Sequence, residues 1–215
     1  MTQRQQKAGI FFDLDGTLIN TLPDISGNLN QTRKHFGLKL LDSKEIQGNI
    51  GKGIEHLIRS CFQDVAIEKH PEILDVMMKF YGEMPYHGGE LYKGALETLT
   101  NFHSKKSMVV GIVTNKPTIA AVGTVNHYLK DFPFALVWGP EKVSAKKPSP
   151  QHLLESIRHC KLDPKDCVYV GDDEVDYLTA KAANVEFYGA GWGFGSVRKT
   201  PGKILENIQD LLEFV

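Results

Sequence analysis

Five short runs of almost uninterrupted apolar residues decide what this chain can fold into: Gly9 to Leu14, Met108 to Thr114, Phe134 to Trp138, Cys167 to Val170 and Val185 to Gly189. A strand exposed on one face alternates polar with apolar side chains; runs this continuous belong to strands covered on both faces. Helical patterns separate the later runs, over Thr118 to Leu129, Pro150 to Cys160 and Asp176 to Ala183. Strands alternating with helices make βαβ units, and so a parallel sheet with helices on both sides. The segment Lys203 to Phe214, entered through Thr200 and Pro201, reads as a closing amphipathic helix.

The first two runs lie too far apart for a single crossover helix. Between them, residues 20 to about 85 carry helical patterns alone: Leu22 to Phe36, Gly53 to Phe62 and Glu72 to Tyr81, with Pro71 suited to a first helical turn. Gly88 and Gly89 then supply a flexible spacer, and Ala95 to His103 a helix returning to the sheet. The expected organisation is α/β: residues 1–19 and 86–215 form the sheet-bearing unit, and residues 20–85 an inserted all-helical one. Such an insert hangs over the end of the first strand.

That end reads Asp13-Leu14-Asp15-Gly16-Thr17. In an extended chain Asp13 and Asp15 point the same way, roughly 7 Å apart. Two carboxylates together are costly unless a cation or a proton transfer justifies them. Open α/β sheets bind ligands at the carboxyl ends of their strands, so the other ends test the reading. They carry Thr114-Asn115 and Gly171-Asp172-Asp173, with Asp176 one helical turn beyond Asp172 and Lys146-Lys147-Pro148 ahead of another helix. Carboxylates, a lysine and a hydroxyl thus converge on one edge, and hard oxygen donors suit Mg²⁺ better than zinc or copper.

Composition excludes other classes. Lys and Arg (25) nearly cancel Asp and Glu (26) over 215 residues, so no bulk field draws the chain to nucleic acid or an anionic membrane. No apolar run reaches the roughly 18 residues of a membrane span, and Met1 to Lys7 lacks the apolar centre of a signal peptide. Cys61, Cys160 and Cys167 are odd in number and form no Cys-x-x-Cys, as befits free thiols in a reducing cytoplasm. The eight histidines form no zinc pattern.

The four motifs Asp13-Leu14-Asp15-Gly16-Thr17, Val113-Thr114-Asn115, Lys147-Pro148-Ser149-Pro150 and Gly171-Asp172-Asp173-Glu174-Val175-Asp176 resemble, in order, those of the haloacid dehalogenase superfamily. Within it the chain is similar to the phosphoglycolate-phosphatase-like branch, which carries a helical cap after the first strand. The resemblance implies a Rossmann-like sheet of strand order 3-2-1-4-5 and a Mg²⁺-dependent phosphatase working through an aspartyl-phosphate. It implies Asp13 as nucleophile, Asp15 as acid and then base, and Lys147 as the neutralising cation. Thr114 and Asn115 would hold phosphoryl oxygens. Asp13, Asp172 and the backbone carbonyl of Asp15 would bind Mg²⁺, with Asp176 in support. Asp173 stands where the family has Ser or Thr, which makes it a further metal-ligand candidate, and Asn184 where a glycine is common.

The cap segment Asn49-Ile50-Gly51-Lys52-Gly53 permits close backbone approach before a helix N-terminus, which makes Gly51 and Lys52 substrate-binding candidates. The expected partner is a small phosphorylated metabolite, and the expected state a monomer or weak homodimer. A phosphosugar mutase on the same core is the alternative, with a non-catalytic binding protein behind it; Asp15 argues against dehalogenation. The glycine-aromatic tract from Gly189 to Gly195 has no dinucleotide register and reads as a loop at the site's rim.

Overall fold

The computed structural model describes residues 7–83 and 86–215; residues 1–6 of the polar leader and residues 84–85, at the expected end of the helical unit, lie outside them. Six parallel strands form the central sheet: β1 (Gly9–Phe12), β2 (Val109–Val113), β3 (Leu136–Trp138), β4 (Cys167–Gly171), β5 (Glu186–Ala190) and β6 (Lys203–Leu205). Their spatial order is β3-β2-β1-β4-β5-β6. In register, Phe12 lies between Ile112 and Val170. Alternation then sorts the side chains. Ile10, Phe12, Val110, Ile112, Val168 and Val170 pack on one face, and Phe11, Val113, Cys167 and Tyr169 on the other. Both faces are apolar, which is why the runs were continuous.

The last segment departs from expectation. Lys203–Leu205 extends the sheet beside β5, pairing Ala190 with Leu205, and a 3-10 turn at Ile208–Asp210 follows. Only the final turn is α-helical. Three residues carry no period, and the open edge of β5 offers unpaired backbone groups that a helix could not satisfy. The anticipated order 3-2-1-4-5 therefore stands with a sixth strand added at its edge.

Four helices fill the interval between β1 and β2: α1 (Leu22–His35), α2 (Ser43–Gln47), α3 (Ile54–Cys61) and α4 (His70–Glu83). The sequence reading lacked α2, although Asp42 and Glu45 supply its reciprocal capping box. Ile25, Leu29, Leu57, Ile58, Ile73 and Met77 give this insertion an apolar cluster of its own. Arg33 ties α1 to the end of α3 through the Asp64 carboxylate and the Cys61 carbonyl.

Five further helices flank the sheet. α5 (Ala95–Thr100), α6 (Thr118–Tyr128) and α9 (Leu211–Phe214) cover one face; α7 (Pro150–His159) and α8 (Glu174–Ala183) cover the other. α5 runs on as a π-helical turn, Asn101–Lys105. Asn184 closes α8 at φ +53°, the left-handed position that glycine usually fills. The insertion leaves and rejoins the sheet through a two-residue antiparallel ribbon, Ile19–Asn20 against Glu90–Leu91. The buried Asp24 carboxylate fixes that junction, accepting from the backbone of His87 at 2.6 Å and of Gly89 at 3.0 Å and from the Tyr128 hydroxyl at 2.7 Å. The described residues include no helix long and apolar enough to cross a membrane, and all three cysteines are free.

Candidate active site

β1 sits where the strand order reverses, and the crevice at its carboxyl end is where such sheets place ligands. Asp13 emerges there, its N–H held by the Val170 carbonyl at 2.8 Å. Lys147, from the loop ahead of α7, reaches it with Nζ 2.9 Å from Asp13 Oδ1, 2.7 Å from Asp176 Oδ1 and 2.9 Å from the Tyr169 hydroxyl. All four side chains are buried. An ammonium taken out of water costs several kcal/mol, and three acceptors satisfy its three donors. Burial pulls the Lys147 pKa down, but Asp13 and Asp176 outweigh it and hold the value above the ordinary one. Burial lifts Asp13 to about 7, with Lys147 opposing and Asp176 and Asp15 adding to the rise. Asp172 is pushed well above the carboxylate range by burial and then by Asp13 and Asp176, against the Gly195 N–H.

Asp13, Asp172 and Asp176 each offer an oxygen within 4.8 Å of the others. A hard, all-oxygen donor set fits Mg²⁺, and a bound dication would favour the ionised carboxylates that burial disfavours. The backbone braces Asp172 tightly. Gly195 N–H donates to its Oδ2 at 2.8 Å, and Val197 N–H to its carbonyl at 2.8 Å. Gly16 lies against it at φ +83°, where a Cβ would sit 2.0 Å from Asp172 Oδ2. Only glycine tolerates both that backbone and that approach. The glycine-aromatic tract thus stands directly behind Asp172, with Trp192 Nε1 donating to the Thr17 carbonyl at 2.9 Å.

Asp15 has a different environment. Its carboxylate accepts from Lys116 Nζ at 3.0 and 3.3 Å and from Thr21 Oγ1 at 2.7 Å. With that side chain paired, its carbonyl is what remains for a metal. Lys116 was not singled out in the sequence; its one signal was its place directly after Thr114-Asn115. Burial lowers its pKa, but Asp15 and Tyr81 more than offset this. The Tyr81 ring, from the insertion, lies 5.6 Å from Nζ.

The remaining candidates divide. Thr114 is buried at the cavity with its oxygen accepting from Lys116 N–H at 3.2 Å, so its hydroxyl proton is free for a ligand. Asn115 Nδ2 donates to the carbonyls of Gly51 and Lys147, each at 3.0 Å, and leaves Oδ1 buried without a partner among the described residues. An unpaired carbonyl lone pair repels a phosphoryl oxygen, so a phosphate contact from Asn115 must come from its backbone N–H. Gly51 lines the cavity, whereas Lys52 stands outside it, exposed, with Nζ 3.5 Å from the Gly48 carbonyl. Asp173 caps α8, accepting from Val175 N–H and from Ser196 N–H and hydroxyl, and it lies outside the three-carboxylate cluster.

The strand ends and the insertion line a cavity of about 50 Å³. Asp13, Asp15, Thr114 and Lys116 form its polar floor, and Ile50, Ile54, Leu57, Met78 and Tyr81 its apolar roof. A rim contact crosses between the two bodies, Lys146 Nζ to Glu55 Oε2 at 2.8 Å.

Behind the Lys147 loop, His152 on α7 is fully buried, its ring close to the Trp138 backbone but without a well-formed hydrogen bond among the described residues. Burial and the Lys147 charge lower its pKa from 6.5 to about 4. The unfolded chain takes up this proton first, so stability falls as pH drops through that window, by about 2 kcal/mol between pH 7 and 5. His152→Leu is expected to remove that share of the acid sensitivity and to leave stability at pH 7 unchanged or higher. Urea unfolding at the two pH values checks it; an unaltered slope assigns the effect to the carboxylates.

Residues 10–190 match the family model described as haloacid dehalogenase-like hydrolase. The phosphoglycolate phosphatase of Cereibacter sphaeroides is 32% identical over 184 residues, 83% of this chain and 83% of that protein. Phosphoglycolate phosphatase 1 of Pseudomonas aeruginosa is 26% identical over 213 residues, 94% of this chain and 78% of its own length. A crystal structure from Haemophilus somnus, described as a predicted phosphoglycolate phosphatase, has a TM-score of 0.89 at 26% identity and covers 98% of this chain and 99% of that one.

Proposed function

The chain belongs to the haloacid dehalogenase-like hydrolases, and from that premise we propose that it is a Mg²⁺-dependent phosphatase of small, phosphoglycolate-like phosphomonoesters, working through an aspartyl-phosphate. The observation that carries the reading is the contact of Lys147 with Asp13 and Asp176 beside a three-carboxylate cluster. An Asp13 oxygen attacks phosphorus while Lys147 offsets charge gathering on both. As the bond from phosphorus to the leaving oxygen breaks, Asp15 gives that oxygen a proton; it then takes one from the water that hydrolyses the phosphoryl-Asp13 bond. Lys116 and Thr21 hold the Asp15 carboxylate in place for both steps. The Thr114 hydroxyl and the Asn115 backbone orient phosphoryl oxygens. Asp13 and Asp172 with the Asp15 carbonyl, Asp176 in support, would hold Mg²⁺, which would supply positive charge to the transferring group.

Residues 20–85 act in this reading as a cap that closes over the site and excludes bulk water. Asn115 joins the closed cap to the Lys147 loop through its two carbonyl contacts. The chain is expected to release phosphate from a panel of phosphorylated metabolites in Mg²⁺, to fall to background in EDTA and to recover when Mg²⁺ is returned in excess. Free phosphate is the readout. Conversion of a sugar 1-phosphate to the 6-phosphate with a bisphosphate primer and no phosphate release would overturn the phosphatase reading in favour of a mutase.

A further inference from the structure

The cavity at the strand ends, at about 50 Å³, is about a third of the ~150 Å³ that admits benzene in an engineered protein core, so a larger substituent on the phosphate must extend beyond it. A second hollow of about 270 Å³ lies on the other side of Met78, Tyr81 and Ala120, which line both. Its further wall comes from Tyr86, Ile119 and Gly123, so it runs along the seam between α4 and α6 and opens to solvent. Among the described residues, no charged side chain lines it. The Tyr86 hydroxyl is committed to the Gly123 carbonyl at 2.8 Å and the Thr124 hydroxyl to the Ala120 carbonyl at 2.9 Å. Ile119, at 75% exposed, leaves a large apolar surface at its mouth.

We propose that this groove is a subsite for an apolar substituent on the substrate's leaving group, reached past the Met78 side chain. The inference rests on the phosphatase reading and adds the substrate class: phosphomonoesters whose alcohol carries an apolar tail. The shared wall commits the groove to the substrate itself, because Met78, Tyr81 and Ala120 are part of the active-site lining. Methionine, unbranched and flexible, is the wall residue able to swing aside without backbone movement. The tail would find mostly hydrocarbon, with the Tyr86 and Thr124 hydroxyls already paired, and so gain from leaving water.

The test is phosphate release in Mg²⁺ from ethyl, n-butyl and n-hexyl phosphate. The expected kcat/KM rises roughly twofold per methylene for a chain half removed from water, about fifteenfold over the added methylenes from ethyl to hexyl. Gly123→Leu fills the groove; a Cβ there meets nothing nearer than the Tyr86 hydroxyl at 3.8 Å, so the new side chain grows into the hollow. That variant is expected to bring the hexyl-to-ethyl ratio back towards one. Ile119→Ser, which alters an exposed side chain only, is expected to reduce the ratio in part and serves if Gly123→Leu does not fold. A flat or falling series overturns the proposal and leaves the groove to another occupant, and so does a ratio that neither variant moves. Absence of phosphate release from all three esters and from the metabolite panel overturns the phosphatase reading as well.

Discussion

Asp13→Asn protein is expected to lose metal-dependent phosphate release by at least roughly 10³-fold while gaining thermal stability in the absence of metal. The amide keeps the shape of the carboxylate but has no anionic oxygen with which to attack phosphorus. Stability moves the other way because burial raises the Asp13 pKa from 3.8 to about 7. A group whose value is raised on folding contributes stability below its unfolded pKa and loses it as pH climbs through the folded one. At pH 8 the folded wild type bears the full cost of an ionised Asp13, and the asparagine variant does not. Melting in EDTA is therefore expected to be higher for the variant at pH 8, with the gap closing towards pH 4. Undiminished turnover would remove Asp13 from the role of nucleophile. A variant less stable at pH 8 would show instead that pairing with Lys147 exceeds the cost of burial.

Lys147→Met is expected to cost both activity and stability. Lys147 is the ammonium in contact with Asp13 and Asp176, and it is 3% exposed. Removing one partner of a buried ion pair leaves uncompensated charge, at a cost of about 3–5 kcal/mol. Without the lysine, Asp13, Asp172 and Asp176 repel one another at short range, and the already raised pKa values of Asp13 and Asp172 rise further. Raised acids lose stability as pH rises, so the metal-free variant should be weakest at pH 8 and should recover ground on the wild type at pH 5. Urea unfolding in EDTA at the two pH values measures this. Turnover in saturating Mg²⁺ is expected to fall by about 10³-fold, the scale for loss of one preorganised charge donor. A stability loss below about 1 kcal/mol at pH 8, or one independent of pH, would mean that the carboxylates are protonated with the lysine in place.

The sheet was legible because its strands are buried twice over. Ile10-Phe11-Phe12 and Val168-Tyr169-Val170 must be apolar on both faces, and a run of that kind stands out against any loop. β6 was not legible: Lys203–Leu205 is too short to show a period, and the unpaired edge of β5 is what makes it a strand. α2 is an opposite case, since its capping box lies in adjacent residues, Asp42 and Glu45, and a closer local reading would have found it. In the site, Asp13 and Asp172 could be picked out because they stand at strand ends, and Lys147 and Asp176 because they fall in recognisable motifs beside them. Lys116 could not, because its partner is 101 residues away and a lysine at the start of a helix is normally a solvated charge. Asp173 shows the converse: four nearby carboxylates looked like one set, but its oxygens belong to the N-terminus of α8 and to Ser196.

Sequence alone determined the parallel sheet, the helical insertion and the edge at which chemistry-bearing residues gather, because hydrophobic periodicity and strand polarity are local and directional properties. What only the tertiary structure decided is the pairing of charges. The two aspartates of one motif take two different lysines, Lys147 on Asp13 and Lys116 on Asp15, and their environments diverge accordingly. Sequence spacing cannot assign such pairs, since the energy of a buried charge depends on through-space distance and on the water excluded around it. The same holds for the small cavity and the groove beside it, whose shared wall joins Met78 and Tyr81 of α4 to Ala120 of α6, residues that meet only when the insertion packs against the sheet.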